Sequence, residues 1–327
     1  MNIFLALVML IGGFVLLIKG ADWFVEGASS VAKLLKVPAI IIGLTVVAFG
    51  TSLPEASVSI SSALAGKNAL AVSNVVGSNI FNILVVLGAS AMLAPVVVQP
   101  DSIKKEIPFS ILCVVALLGI MLAGMAAGVD GAANTYTVGR IGGLILLVIF
   151  AFYMYWQITA ALKVRKAAEG NDDGEEIKVL SPIKSLIYIV VGIACIVFGG
   201  DLVVDGASAI ALKFGMSETL VGMTIVALGT SLPELVTSMI AAKKGESDLA
   251  LGNAIGSNIF NIVFVLGFST LISPITVDVL AVIDTIAVIA VSALTLVFAA
   301  TGKKISRAEG AAMVAAYAGY FVYMFVR

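Results

Sequence analysis

Apolar residues run through this chain in long blocks separated by short polar loops, with no regular alternation of apolar and polar positions. Ten blocks can be drawn, approximately 3–30, 39–66, 69–93, 107–128, 138–162, 183–211, 218–242, 247–272, 279–300 and 306–326. Most reach the ~18 to 20 residues that a helix needs to cross the hydrocarbon core of a bilayer. The period-two signature of a membrane β-barrel is absent. The pattern predicts an all-α integral membrane protein with about ten transmembrane helices.

The blocks are not all independent. Residues 43–88 read GLTVVAFGTSLPEASVSISSALAGKNALAVSNVVGSNIFNILVVLG, and residues 222–267 read GMTIVALGTSLPELVTSMIAAKKGESDLALGNAIGSNIFNIVFVLG. The match is gapless, with 26 of 46 positions identical. The same offset carries Asp22 and Glu26-Gly27-Ala28-Ser29 onto Asp201 and Asp205-Gly206-Ala207-Ser208, so the duplication covers spans one to three against six to eight, and by position five against five. An odd number of spans per unit makes the second unit enter the membrane from the opposite side, which predicts inverted repeats. The expected organisation is a first five-helix repeat over 1–162, a linker over 163–182, and a second, inverted repeat over 183–327.

Composition agrees with a membrane chain: 61% of residues are hydrophobic and 12% charged, about half the ~25% charge of soluble domains. A net charge of −1 gives no reason to expect a nucleic-acid partner. Cys113 and Cys195 fall inside apolar blocks, where they act as small hydrophobes, and no disulfide framework is expected. The first apolar run lacks a basic n-region, so it reads as a helix and not as a cleaved leader. Loops after odd-numbered spans hold Lys33, Lys36, Lys104, Lys105, Lys163, Arg165, Lys166, Lys178, Lys184, Lys243, Lys244, Lys303, Lys304 and Arg307, whereas the other side has Lys67, Arg140, Lys213 and Arg327. The positive-inside rule then puts both termini outside and the 163–182 linker in the cytoplasm, with the chain a multi-pass protein of the cell (inner) membrane. The linker, with EGNDDGEE at its middle, reads as a flexible connector.

Each repeat places a carboxylate, Glu55 or Glu234, directly after a proline and deep in an apolar span. Such a residue is a functional candidate by default, because leaving it charged and unpartnered at that depth costs several kcal/mol. Pro54 and Pro233 each remove a backbone donor, which predicts freed carbonyls around Ala48 to Ser52 and Ala227 to Ser231. Thr51, Ser52, Thr230 and Ser231 add hydroxyls beside the break, and one span later come Ser78 and Asn82, matched by Ser257 and Asn261. All these donors are hard oxygens and the chain has no histidine, a set that favours Ca²⁺ or Na⁺ over zinc or copper. Two carboxylates make a site of about −2, neutralised by one Ca²⁺ or two Na⁺ and costly to carry empty through a low-dielectric core. Exchange is favoured over leak.

Structural readings compete at several positions. Gly77-Ser78 and Gly256-Ser257 suit close helix packing as well as ion contact. Asn74, Asn79, Asn253 and Asn258 serve interhelical hydrogen bonding as readily as ligation. Asp22, Glu26, Asp201 and Asp205 fit solvated helix ends or a pathway mouth better than a central site, and Lys19 fits a snorkelling side chain.

At the paired GTSLPE and GSNIFN motifs the chain resembles the sodium/calcium exchanger family within the cation/calcium antiporters, especially its compact prokaryotic members, over essentially its whole length. The resemblance implies a ten-helix fold in which spans two, three, seven and eight frame the ion sites, while spans one and six slide to alternate access. It implies cation ligands at the Ala48 carbonyl, Thr51, Ser52, Glu55, Ser78 and Asn82, and at the Ala227 carbonyl, Thr230, Ser231, Glu234, Ser257 and Asn261. Many family members carry aspartate where this chain has Asn261. Its loss makes the site symmetric and removes the acid that related exchangers associate with potassium dependence.

The expected function is secondary antiport of Na⁺ for Ca²⁺ by alternating access, extruding Ca²⁺, with those ions as transported substrates and no resident cofactor. A proton-coupled Ca²⁺ antiporter is the close rival, because two buried carboxylates could trade Ca²⁺ for H⁺. An intramembrane enzyme is disfavoured: without histidine there is no HExxH-type zinc site, and no aspartate dyad stands out. A passive channel would conduct Ca²⁺ without a counter-ion.

Overall fold

A computed structural model describes residues 2–66, 68–126, 135–168, 180–216, 225 and 227–326. The described chain is helical apart from four short strands. In order, the helices are α1 (Ile3–Leu34), α2 (Ala39–Thr51), α3 (Leu53–Leu64), α4 (Ala69–Leu93), α5 (Ser102–Met125), α6 (Arg140–Lys166), α7 (Pro182–Lys213), α8 (Leu232–Lys243), α9 (Ser247–Ile272), α10 (Val279–Gly302) and α11 (Arg307–Val326). Seven of them are long and apolar enough to cross a membrane, and the α2–α3 pair makes an eighth if it counts as one bent span. The protein is an all-α, multi-pass membrane protein. Of span seven, expected over 218–242, residues 218–224 and 226 lie outside the described residues, and so do residues 169–179 of the linker expected over 163–182.

Burial separates the helices into two classes. In α4 and α9 the apolar windows are 72% and 78% buried, against 22–33% in the other long helices. The two central helices thus carry the functional candidates of the GSNIFN segments, and the outer helices turn large apolar side chains outward, for example Phe4, Val148 and Ile183. In a soluble protein such a surface would be a liability; here lipid covers it.

Helices α1 and α7 lie against each other along nearly their whole length. A Cβ on Gly13 would fall 2.7 Å from the Gly199 carbonyl oxygen, and one on Gly20 would fall 2.9 Å from the Gly192 oxygen. Positions 13 and 20 meet 199 and 192 in reverse order, so the two helices run antiparallel. Contacts this close need glycine, the device by which membrane helices gain van der Waals contact when no hydrophobic drive separates helix from lipid.

The α2–α3 pair bends by 52° at Ser52. Pro54 and Pro233 both occupy the first turn of a new helix, where a missing N–H costs nothing. This corrects the expected set of freed carbonyls. The Ala48 oxygen accepts the Ser52 amide at 3.1 Å and the Ser52 oxygen accepts the Ala56 amide at 3.0 Å. The carbonyl that Pro54 deprives of its i+4 donor is that of Gly50.

The strands, which the apolar pattern did not announce, tie loops across the molecule. Val96–Val97 (β1) pairs antiparallel with Lys304–Ile305 (β4), and Thr135–Val138 (β2) with Ile275–Asp278 (β3). Each joins a loop of the first half of the chain to one of the second.

Candidate functional site

The GTSLPE segments bring their carboxylates to one place because each break exchanges a serine with the opposite half. Ser52 Oγ donates to Glu234 Oε1 at 2.7 Å, and Ser231 Oγ donates to Glu55 Oε1 at 2.8 Å. Both glutamates are fully buried. Ser231 Oγ also lies 3.2 Å from Ser78 Oγ, and Ser257 Oγ donates to Glu234 Oε1 at 3.4 Å. Thus Ser52, Glu234 and Ser257 form one hydrogen-bonded triad and Ser231, Glu55 and Ser78 another, each drawing on both halves of the chain, between α2, α3, α4, α8 and α9. Thr51 Oγ1 donates to Asn253 Oδ1 at 2.9 Å, and it lies 3.4 Å from the Ala48 oxygen. Thr230 stands beside Ser231 and is half-buried, and Ala227 opens the helical turn Ala227–Gly229 that leads into the break.

What the cluster leaves unmade is as informative as what it makes. The second oxygen of each glutamate, Glu55 Oε2 and Glu234 Oε2, is buried without a hydrogen-bond partner, and so are both amide atoms of Asn82 and of Asn261. A buried unpartnered polar atom costs ~1 to 3 kcal/mol. The four oxygens among them, one from each glutamate and one from each asparagine, suit cations, because carboxylate, hydroxyl and amide oxygens are the hard donors that Ca²⁺ and Na⁺ take. Asn82 opens a π-helical turn over Asn82–Leu87, and Asn261 sits in one over Phe260–Leu266. Such turns widen the helix locally and concentrate at functional sites. Among the described residues no group of three or more His, Cys, Asp or Glu is gathered.

The remaining asparagines brace the cluster. Asn74 Nδ2 donates to Ser59 Oγ at 2.9 Å and to the Glu55 carbonyl at 3.4 Å; Asn253 Nδ2 repeats this on Ser238 Oγ at 2.8 Å and the Glu234 carbonyl at 3.2 Å. Asn79 and Asn258 donate to each other's backbone oxygens at 3.3 and 3.2 Å, pinning α4 to α9. Ser59 and Ser238 escaped the sequence reading although they are identical in the two copies, and that identity was the available signal. Asp22, at the edge, pairs with Lys244 at 2.7 Å and lies away from the centre.

The sodium/calcium exchanger protein family matches residues 5–159 and 184–326. The chain is 41% identical over 325 residues to a putative antiporter, CaxA, of Alkalimonas amylolytica, covering 98% of each chain. It is 34% identical over 346 aligned residues to the sodium/calcium exchanger MaX1 of Methanosarcina acetivorans, covering 97% of each. A structure of the sodium-calcium exchanger NCX_Mj soaked with 10 mM Na⁺ and 10 mM Sr²⁺ superposes with a TM-score of 0.80 at 32% identity, over 98% of this chain and 99% of that one. With both halves matched and the match running nearly end to end, the chain belongs to the sodium/calcium exchanger family.

Proposed function

We propose that this protein is a secondary antiporter that exchanges Na⁺ for Ca²⁺ through one pocket shared by Glu55 and Glu234, and that it extrudes Ca²⁺. The observation that carries this reading is the pair of half-satisfied glutamates: each has one oxygen held by a serine of the other half and one oxygen buried without a partner. The ligand set is the Ala48 carbonyl, Thr51, Ser52, Glu55, Ser78 and Asn82 with the Ala227 carbonyl, Thr230, Ser231, Glu234, Ser257 and Asn261. Ionised, the two acids carry about −2, which one Ca²⁺ or two Na⁺ neutralise. An emptied, ionised pocket crosses between its two access states at a prohibitive desolvation cost, so the switch proceeds with cations bound and couples the two fluxes. Exchange beyond two Na⁺ per Ca²⁺ moves net charge, each worth ~2.3 kcal/mol per 100 mV. The chemistry is transport and not bond-making.

The chain order supports two inverted five-helix halves, 1–162 and 183–327, joined by a cytoplasmic linker at 163–182, with both termini outside. The antiparallel α1–α7 pair, packed glycine to glycine and lying against both breaks through Ile193 at Gly50 and Gly200 at Pro233, is suited to move as a body while the pocket stays fixed. Of the alternatives, proton-coupled Ca²⁺ antiport uses the same two acids. Hydroxyls from Ser52, Ser231 and Ser257 around the carboxylates suit Na⁺ and favour the sodium reading.

The test is Ca²⁺ uptake into vesicles driven by an imposed Na⁺ gradient at clamped pH and potential. Uptake that follows the Na⁺ gradient and vanishes in E55Q and E234Q supports the reading. Uptake that follows only a pH gradient, or that needs no counter-ion, rejects it.

A further inference from the structure

The last turns of α1, which the positive-inside rule assigns to the cytoplasmic side, are tied to the turn between α8 and α9. That turn is Lys244-Gly245-Glu246, closed by Gly245 in the left-handed region at φ +79°, and it presents opposite charges to α1. Lys244 Nζ pairs with Asp22 Oδ1 at 2.7 Å and donates to the Asp22 carbonyl oxygen at 2.9 Å. Glu246 Oε1 accepts from Ser29 Oγ at 2.6 Å and lies 3.8 Å from Lys33 Nζ. Beside these contacts lies a cavity of about 480 Å³ lined by Glu26, Ser29, Lys33, Lys244 and Glu246 among others. The same stretch of α1 is fastened to α7: a Cβ on Gly27 would fall 2.9 Å from the Ser185 carbonyl oxygen, and the Leu180 amide donates to Ser30 Oγ at 3.4 Å. The α1–α7 pair is therefore held to the α8–α9 turn by charge at one end.

The duplication supplies an internal control. At the offset that relates the repeats, Lys244-Gly245-Glu246 becomes Ala65-Gly66-Lys67, and Gly66 keeps the left-handed turn at φ +71°. Asp22, Ser29 and Lys33 become Asp201, Ser208 and Leu212. The pair Asp22–Lys244 thus maps onto Asp201 and Ala65, and Lys33–Glu246 onto Leu212 and Lys67, so neither ion pair has a counterpart. Ser208 Oγ is buried without a partner where Ser29 Oγ donates to Glu246. The turn is repeated and its charges are not, so building the helical hairpin does not require them.

We propose that the Asp22–Lys244 pair and the Ser29–Glu246–Lys33 contacts form a latch that keeps the cytoplasmic side of the transport path closed by tying α1 and α7 to the α8–α9 turn, and that releases when the path opens there. The latch rests on the alternating-access reading proposed above, in which the α1–α7 pair moves and the pocket stays fixed. Contacts that cross from the moving pair to a fixed turn break when the two separate. The four charged side chains are 27–46% exposed, so water takes each charge back on release. Partly exposed pairs of this kind are weak, which lets the latch bias the carrier toward one access state without trapping it. The missing charges at Ala65 and Leu212 leave the opposite end without this bias.

Spin labels at L35C and K243C, in a C113A/C195A background, report the gap between α1 and α8 by electron double resonance on full-length protein in lipid nanodiscs. Leu35 and Lys243 are both exposed and lie outside the latch. The expected result is that K244A/E246A raises the long-distance population about threefold or more, and that D22K/K244D, which reverses one pair, returns it to the parent value. S29A keeps every charge, should shift the population less and in the same direction, and carries the test if K244A/E246A is not monodisperse. K105A, which breaks the exposed Lys105–Asp101 pair, should leave the distances unchanged. An unchanged distribution in K244A/E246A (or in S29A where it stands in), an equal shift in K105A, or a reversed pair that fails to restore the parent distances overturns the latch. Because the readout is a distance and not a flux, its outcome is distinct from that of the Na⁺-gradient uptake assay.

Discussion

The two arms of the central pocket are nearly identical in sequence and differ in how they hold their acids. In the first arm the Ser52 amide reaches back four residues to Ala48 at 3.1 Å; in the second the Ser231 amide reaches back only three, to Leu228 at 3.2 Å. The tighter turn carries Ser231 to both Glu55 and Ser78, whereas Ser52 serves Glu234 and Ser257 serves it again. Glu234 thus receives two serine hydroxyls and Glu55 one. Equal sequence has yielded unequal electrostatics: the carboxylate with fewer donors depends more on a bound cation.

The largest effect should come from erasing either acid. E55Q or E234Q removes one of two negative charges from a buried site, and Ca²⁺ affinity should fall by about 100-fold or more, ~2.7 kcal/mol, in equilibrium binding. Transport should fall with it, and a variant that binds normally would break the pairing of the two acids.

The next effect tests the inequality itself. S231A takes from Glu55 its serine donor, at ~1 to 3 kcal/mol for a buried charged acceptor, while S52A leaves Glu234 the hydroxyl of Ser257. Ca²⁺ affinity should therefore fall more in S231A than in S52A; equal losses would show that the arms are equivalent, and the reverse order that the donor count misleads.

A smaller effect is expected at the braces. Asn253 donates to Ser238 and the Glu234 carbonyl, and Asn74 donates to Ser59 and the Glu55 carbonyl. Either N253A or N74A removes two side-chain hydrogen bonds and should lower stability by ~1 to 3 kcal/mol, read as a fall in the thermal midpoint. The smallest expected effect is Y153F. It removes the single bond to the Leu44 oxygen and should cost ~1 kcal/mol of stability while leaving Ca²⁺ binding within about threefold.

Much of this organisation was legible before any coordinates. Long apolar blocks marked a helical membrane protein because lipid forces backbone polar groups to be satisfied within each segment. The paired acids stood out because a carboxylate is rare in such blocks. The sites of the freed carbonyls were misread at Ala48 and Ser52: a proline reads the same in the middle of a helix as in its first turn, and only the bend at Ser52 decides between them. Asn74 and Asn79 could not be sorted into ligands or braces, since spacing fixes a helix face and not the partner across it. The strands were invisible because two to four residues carry no periodicity.

The most direct measurement of the central claim is the stoichiometry of Ca²⁺ binding to purified protein by equilibrium dialysis, in the parent chain and in E55Q and E234Q separately. A single shared pocket predicts one Ca²⁺ per chain, displaced by Na⁺ and lost on either substitution. Two Ca²⁺ per chain, with one surviving in each variant, would show two independent sites and contradict it.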